Sequence, residues 1–220
     1  MKLKVIITGA TGMVGEGVMQ ECIANPAVAQ ILLINRKPSG VVHPKVTEIL
    51  HNNFSDISPI VDQLKGYDAC YFCLGVSSVG MKEEAYYAVT YTLTLNFAGS
   101  LAAVNPGMTF CYVSGAGTDS TEKGKLMWAR VKGKTENDLT KLPFKAVYNF
   151  RPAFMKATKG ARNLKPIYRA FSFLYVFRAI FPYYFITLEE VGKAMINVTI
   201  NGYTTPTIEA KDIIILAKEG

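Results

Sequence analysis

Eight residues near the start, Thr8-Gly9-Ala10-Thr11-Gly12-Met13-Val14-Gly15, constrain this chain more than any others. They stand between an apolar run, Lys2–Thr8, that reads as a buried strand, and Met13–Ala24, which reads as a helix ended by Asn25-Pro26. In such a loop one glycine lets the chain reverse tightly, and a second lets backbone approach a pyrophosphate. A third allows close packing of strand on helix, while the helix N-terminus offers free amides and a positive dipole to phosphate. The spacing is GxxGxxG rather than GxGxxG, so the strand–turn–helix context carries the weight. All seven residues from Gly9 through Gly15 are candidate dinucleotide contacts; a glycine-rich turn without a ligand is the competing reading.

The rest of the chain supports that context. Apolar runs at Ile31–Asn35, Val46–Leu50, Asp68–Leu74, Met108–Ser114 and Lys145–Arg151 read as strands. Helical patterns at Ile57–Lys65, Lys82–Val104 and Lys125–Lys141 separate the later ones. Strands that alternate with helices and are apolar on both faces predict a parallel sheet covered on both sides, a Rossmann-type doubly wound α/β fold. The expected organisation is one dinucleotide-binding domain over 1–220, with residues 152–220 including a small C-terminal substrate lobe. Within that lobe, Lys156–Lys165 reads as a basic loop and Thr187-Leu188-Glu189-Glu190 as a capping box opening a helix that runs to about Asn201-Gly202. Thr204–Glu209 reads as a last strand, and Asp212–Lys218 as either helix or strand.

At the end of the second strand, chains that bind NAD usually place an acid on the ribose hydroxyls. Here the residues are Ile34-Asn35-Arg36-Lys37, two cations and no carboxylate. This predicts NADP(H) over NAD(H), with Asn35, Arg36 and Lys37 at the 2′-phosphate; a merely solvated loop is the alternative. Asn53, after the third strand, is a candidate adenine contact, and Cys73, Leu74 and Gly75, after the fourth, are expected to line the groove.

Composition narrows the function classes. Half of the 220 residues are hydrophobic, which excludes a disordered or low-complexity chain. The net charge of +7 is unevenly placed: residues 123–178 hold 14 basic groups against Glu136 and Asp138 alone. An anionic ligand or surface is implied. Aromatics interleave with cations at Tyr168-Arg169-Ala170-Phe171, yet no recognised nucleic-acid motif accompanies them, so nucleic acid is not the expected partner. The aromatic stretch 170–186 is interrupted by Arg178 and Pro182 and is too short to span a bilayer; it reads as a core or partner-facing segment, with peripheral membrane contact as the lesser alternative. Cys70-Tyr71-Phe72-Cys73 falls on a strand, where a separation of three throws the thiols onto opposite faces, so no metal or redox site is expected. Reduced thiols and the lack of a signal-peptide pattern at the first residues predict a cytoplasmic protein.

TGATGMVG at the N-terminus, Ser114 closing the fifth strand, Val131-Lys132-Gly133-Lys134-Thr135-Glu136 and Phe150-Arg151-Pro152 together resemble the atypical short-chain dehydrogenase/reductases. Within these, the chain is similar to the NAD-dependent epimerase/dehydratase-like group and to the small Tat-interacting-protein-like oxidoreductases. The resemblance is clear from Met1 to Pro152 and loose beyond. It implies an active site in which a serine polarises the substrate oxygen, a tyrosine exchanges its proton, and a lysine four residues later holds the nicotinamide ribose. Lys132 matches that lysine and Ser114 the serine, although a shift of one residue in the strand would put Gly115 there and Thr118 stands nearby. The tyrosine position is Trp128, whose indole N–H neither gives nor takes a proton near neutral pH.

Other readings of these residues stay open. Lys132 is one turn from Glu136 and suits a plain i,i+4 ion pair, while Gly133 beside it suggests close backbone approach to a ligand. Trp128 is a substrate contact or a core anchor; Arg151 is a substrate contact or a buried ion-pair partner. Tyr86, Tyr87, Tyr112 and Tyr148 are candidates to replace the missing phenol. The expected function is an NADP(H)-binding oxidoreductase or epimerase-like enzyme on a small molecule with an altered active site. The alternative is a non-catalytic, NADP(H)-responsive sensor or scaffold.

Overall fold

The structure is a computed structural model that describes residues 2–156, 175, 178 and 182–219. Its spine is one parallel sheet. β1 (Leu3–Thr8), β2 (Val28–Asn35) and β3 (Val46–Leu50) are followed by β4 (Ala69–Phe72), β5 (Thr109–Val113) and β6 (Ala146–Arg151). β7 (Phe154–Lys156) pairs with β8 (Phe185–Thr187) in a separate two-stranded ribbon, and β9 (Thr207–Glu209) adds to the main sheet beside β6. The order is β3-β2-β1-β4-β5-β6-β9, and each neighbouring pair is parallel. The chain moves outward one way from β1 to β3 and the other way from β4 to β9, so the order reverses between β1 and β4. In open α/β sheets a ligand crevice opens at the carboxyl ends of the strands at such a switch point.

Two apolar layers bury the sheet. On one face α1 (Met13–Ala24), α5 (Leu188–Asn201) and α6 (Ala210–Leu216) cover Val5, Ile7, Tyr71, Cys111 and Phe150. On the other face a 3₁₀ segment (Ser58–Leu64) and α3 (Leu93–Val104) cover Ile6, Cys70, Phe72 and Phe110, with Leu139 of α4 (Met127–Leu139) joining the same layer. The alternation in strand β4 puts Cys70 in the second layer and Cys73, just past its end, against the first, as strand geometry requires. All four cysteines are free thiols.

The long helix expected over Lys82–Val104 is three pieces: α2 (Glu83–Tyr87), a π turn (Ala88–Thr92) and α3. The capping box at Thr187 is present, with the Glu190 amide donating to the Thr187 hydroxyl at 3.1 Å and the Thr187 amide donating to the Glu190 carboxylate at 2.8 Å. The last element is a helix, opened by a second reciprocal cap between Glu209 and Asp212. The basic loop expected from Lys156 begins instead with strand β7; the rest of that loop and most of the aromatic stretch 170–186 lie outside the described residues. Among the described residues no helix is long and apolar enough to cross a membrane.

Candidate dinucleotide cleft and the end of strand β5

The glycine loop sits at the switch point. Gly9 has φ +70°, and a Cβ there would stand 2.8 Å from the backbone carbonyl of Cys73. β1 and the residues after β4 can therefore converge only with glycine at this position. The Gly9 carbonyl accepts from the Gly12 amide at 2.9 Å, and a Cβ on Gly15 would overlap that same carbonyl. Gly12 caps α1 without any side-chain hydrogen bond, and the first helical donor is Glu16, onto the Gly12 carbonyl at 2.9 Å. The amides of Met13, Val14 and Gly15 are thus left at the mouth of the loop, where a phosphate would find them.

Beside this loop lies a cleft of about 230 Å³, walled by Gly9, Thr11 and Gly12, by Asn35 and Arg36, and by Cys73-Leu74-Gly75. Ile34 and Phe54 supply apolar surface to it. An adjoining depression includes Arg36, Lys37 and Asn52. Ala10 is buried in the core rather than on the wall. Asn53 is not on the wall either: its carboxamide accepts from the Ser55 amide at 3.2 Å in a local turn, and the neighbouring Phe54 faces the cleft in its place. Nothing in the residue types marked that exchange, because a turn decides which of two adjacent side chains points inward.

The end of β2 differs from expectation in one respect. No carboxylate follows in sequence, but Glu48 arrives from β3: Asn35 Nδ2 donates to its Oε1 at 2.7 Å, and the Ser39 amide to the same oxygen at 2.9 Å. That acid holds the 36–39 turn in place. Arg36 and Lys37 are exposed and form no ion pair among the described residues. Asn35 is 2% exposed, and its Oδ1 has no hydrogen-bond partner.

The second set of candidates meets at the end of β5. Lys132 Nζ donates to the carbonyl of Val113 at 3.2 Å and lies 5.3 Å from the centre of the Tyr112 ring. Desolvation lowers its amine to about pKa 8, against an opposing pull from Glu136. Ser114, next along, is held by its own amide on the Phe150 carbonyl at 2.7 Å, and its hydroxyl lies 2.9 Å from that of Thr118. Thr118 has only one proton, and it goes to the Gly115 carbonyl at 2.7 Å. The Ser114 proton therefore points to Thr118, and its oxygen keeps lone pairs to accept a bond from elsewhere.

Trp128 stands at the start of α4, its ring edge 3.5 Å from where a Cβ of Gly117 would be. The indole packs on the β5–α4 loop. Lys132 and Glu136 do not pair. Glu136 is 2% exposed and turned to Arg151, whose Nε donates to its two oxygens at 3.0 and 3.2 Å. Arg151 also donates to Glu209 at 3.1 Å and to Ser120. The substrate role considered for Arg151 is corrected accordingly: its donors are taken by protein acceptors. Gly133 is corrected too, since the backbone it approaches is that of Asp119, not a ligand.

Of the substitute tyrosines, Tyr112 presents its ring face to Lys132. Burial pushes Tyr112 far up, and Tyr86 is also raised by burial. Tyr87 packs against Tyr91 with ring centres 4.6 Å apart and the rings tilted, and Tyr148 lies in the apolar layer on the opposite face, its hydroxyl accepting from the Tyr203 amide at 2.9 Å. Beyond the ends of β5 and β6 a further groove of about 350 Å³ opens between Ala116, Ala153, Tyr183, Tyr184 and Lys211.

Among the described residues of 123–178, five of the ten cations are paired within the protein, Arg151 included. Lys134 and Lys141 meet Asp138 at 3.0 and 2.6 Å, Arg130 meets Glu83 at 2.7 Å, and Arg178 meets Glu190.

A parallel seven-stranded sheet with a glycine loop at its switch point and a lysine at the end of its fifth strand defines a class. The chain has the fold of the short-chain dehydrogenase/reductase and NAD-dependent epimerase/dehydratase enzymes. Three solved structures carry this: a dTDP-glucose 4,6-dehydratase from Streptomyces venezuelae with NAD and TYD bound (TM-score 0.68, 13% identity, 93% of this chain and 74% of that one); an oxidoreductase of the short-chain dehydrogenase/reductase family from Burkholderia thailandensis (0.66, 14%, 94% and 90%); and a UDP-N-acetylglucosamine 4-epimerase from Bacillus cereus (0.66, 18%, 94% and 78%).

More particular likeness is to fungal proteins. Protein fmp52, mitochondrial, of Emericella nidulans is 27% identical over 157 residues, spanning 69% of this chain and 66% of that protein. Protein FMP52, mitochondrial, of Meyerozyma guilliermondii is 23% identical over 199 residues, spanning 88% and 84%. No family model matches the chain. The relatives' names place them in mitochondria, which overturns the expectation of a cytoplasmic protein.

Proposed function

We propose that this protein binds a nicotinamide dinucleotide in the switch-point cleft, NADP(H) in preference to NAD(H). On this reading it is an oxidoreductase or epimerase-like enzyme acting on a small molecule. The observation that carries the reading is the free α1 N-terminus at the mouth of a cleft whose floor only glycine can form. The preference rests on Arg36 and Lys37, exposed and without a carboxylate partner among the described residues, while Glu48 is engaged by Asn35 and Ser39. A bound nicotinamide supplies a hydride donor or acceptor.

The residues' own parts follow from position. Lys132 would hold a nicotinamide ribose bound at the end of β5, and Ser114 Oγ would accept a hydrogen bond from a substrate hydroxyl while donating its own to Thr118. The groove between Ala116, Ala153 and Tyr183 receives the substrate, as part of the lobe within 152–220. Trp128 closes the position where a phenol would act, so the proton travels by the substrate's own hydroxyl or by water. Calorimetric titration with NADPH and NADH tests this. Tighter NADPH binding is expected; equal or tighter NADH binding overturns the preference, and binding of neither overturns the reading. Turnover of small carbonyl compounds with NADPH, lost in Lys132→Ala, is the catalytic test.

Trp128 also favours a second reading, a sensor without chemistry. It requires that NADPH alter protease sensitivity or oligomeric state while no compound in a broad panel is turned over.

A further inference from the structure

On α4, Lys132 and Glu136 stand at the i,i+4 spacing at which a lysine and a glutamate ordinarily pair. They are kept apart by a third residue from a different element. The Arg151 guanidinium, at the end of β6, engages both Glu136 oxygens and is itself braced by Glu209 at the end of β9 and by Ser120 in the β5–α4 loop. A planar fork of donors fits a carboxylate better than a lysine's single ammonium does, so the competition for Glu136 goes to the arginine. Among the described residues Lys132 is left with the Val113 carbonyl at 3.2 Å and the face of the Tyr112 ring.

We propose that Arg151 is a positioning residue for Lys132: by capturing Glu136 it denies Lys132 an internal counter-ion and leaves its amine available to a ligand at the end of β5. The ligand part rests on the dinucleotide reading above; the capture itself does not. Among the described residues, few charged and titratable groups bear on Lys132. Glu136 comes from its own helix, Arg151 reaches it from β6 only through Glu136, and Tyr112 faces it from β5, with Tyr86 of α2 acting on Tyr112. Desolvation holds the amine near pKa 8, and among the described residues it is Glu136 that opposes it. Freed from Arg151, that carboxylate would pull Lys132 back toward a charged, engaged state.

The experiment is trace acetylation of the full chain across a pH series, with labelling of Lys132 read by mass spectrometry beside that of exposed Lys123. Wild type is expected to label Lys132 with a midpoint below that of Lys123. In Arg151→Met the Lys132 midpoint rises by about one unit, so that labelling near pH 8 slows by roughly fivefold. Glu136→Gln and the double variant Arg151→Met/Glu136→Gln keep the midpoint at or below that of wild type, because no carboxylate is left to pair. A folded Arg151→Met with an unmoved midpoint, or the same rise in the double variant, overturns the proposal. Should Arg151→Met fail to fold, Arg151→Lys, which keeps the charge but not the fork, must raise the midpoint by a smaller step; no rise again overturns it.

NADPH protection separates the two ideas. If NADPH shields Lys132 from label while Arg151 has no influence on the midpoint, the positioning role fails and the dinucleotide reading stands. If the midpoints behave as expected and neither dinucleotide binds, the positioning role stands and the dinucleotide reading fails.

Discussion

The carbonyl oxygen of Asp119 fills the space that a Cβ on Gly133 would need, so α4 and the loop before it touch backbone to backbone beside Lys132. Gly133→Ala must push the two apart. A better helix former returns less than about 1 kcal/mol, whereas the forced displacement costs roughly 1–3 kcal/mol. Urea denaturation is expected to show net destabilisation, and calorimetry weaker NADPH binding as Lys132 shifts with the helix. Unchanged stability would mean that this backbone contact is not tight.

Gly12 and Gly15 separate ligand space from packing. A Cβ on Gly12 meets only the Gly9 carbonyl, at 3.3 Å, and otherwise enters the cleft, while one on Gly15 overlaps that carbonyl outright. Gly12→Ala is expected to keep its denaturation midpoint within about 0.5 kcal/mol of wild type and to lose NADPH affinity. Gly15→Ala should lose about 1–3 kcal/mol of stability first. The reverse pattern would place the phosphate elsewhere.

Removing the exposed cations after β2 should change selectivity rather than fold. Arg36→Ala with Lys37→Ala is expected to weaken NADPH by about tenfold or more, the worth of one to two charge-assisted hydrogen bonds, and to leave NADH nearly unchanged. The NADPH loss should shrink in high salt. Equal losses for both dinucleotides would remove the 2′-phosphate from this site.

Lys132 also gives stability a defined pH dependence. Its amine is lowered from 10.5 to about 8 in the folded state, so between those values the unfolded chain holds the extra proton. Stability from this group therefore rises with pH across that window and is depressed in full below about 8. Lys132→Met should melt higher than wild type at pH 7, by about 2–4 °C for each kcal/mol recovered, and the gap should close between pH 8 and 10.5. The thiols act oppositely. Burial raises Cys22, Cys70 and Cys111, and pushes Cys73 up to about 12, so both proteins should lose stability as pH rises above 9, where unfolded thiols ionise. A constant gap across the whole range would mean that Lys132 titrates as an ordinary lysine.

Much of the framework was legible because it is local. Met13–Ala24 and Val46–Leu50 have the bounds read from their apolar pattern and flanking breakers, and the Thr187–Glu190 cap is written in four adjacent residues. Features made by distant partners were not. β7 and β8 are three residues each and pair across 31 positions, so neither has a pattern of its own. Glu48 reaches the end of β2 only because β3 lies beside it, with Leu33 opposite Glu48 in register. The choice between Arg151 and Lys132 as partner of Glu136 is likewise tertiary. The i,i+4 rule saw one candidate, and the sheet brought a stronger one.

The position of β9 fixes when this protein can become itself. The strand that borders β6 is made of residues 207–209, and α5, which packs on the very first helix, ends only at Asn201. During synthesis the glycine loop emerges well before residues 188–201, so the helix that follows it lacks this cover on its outer side until those residues are made. Such distant pairings make folding slow, and an edge like that of β6 is open to wrong partners meanwhile. The Arg151 brace to Glu209 can close only after residue 209 is made, so a nascent chain carries its glycine loop well before it carries the finished surroundings of Lys132.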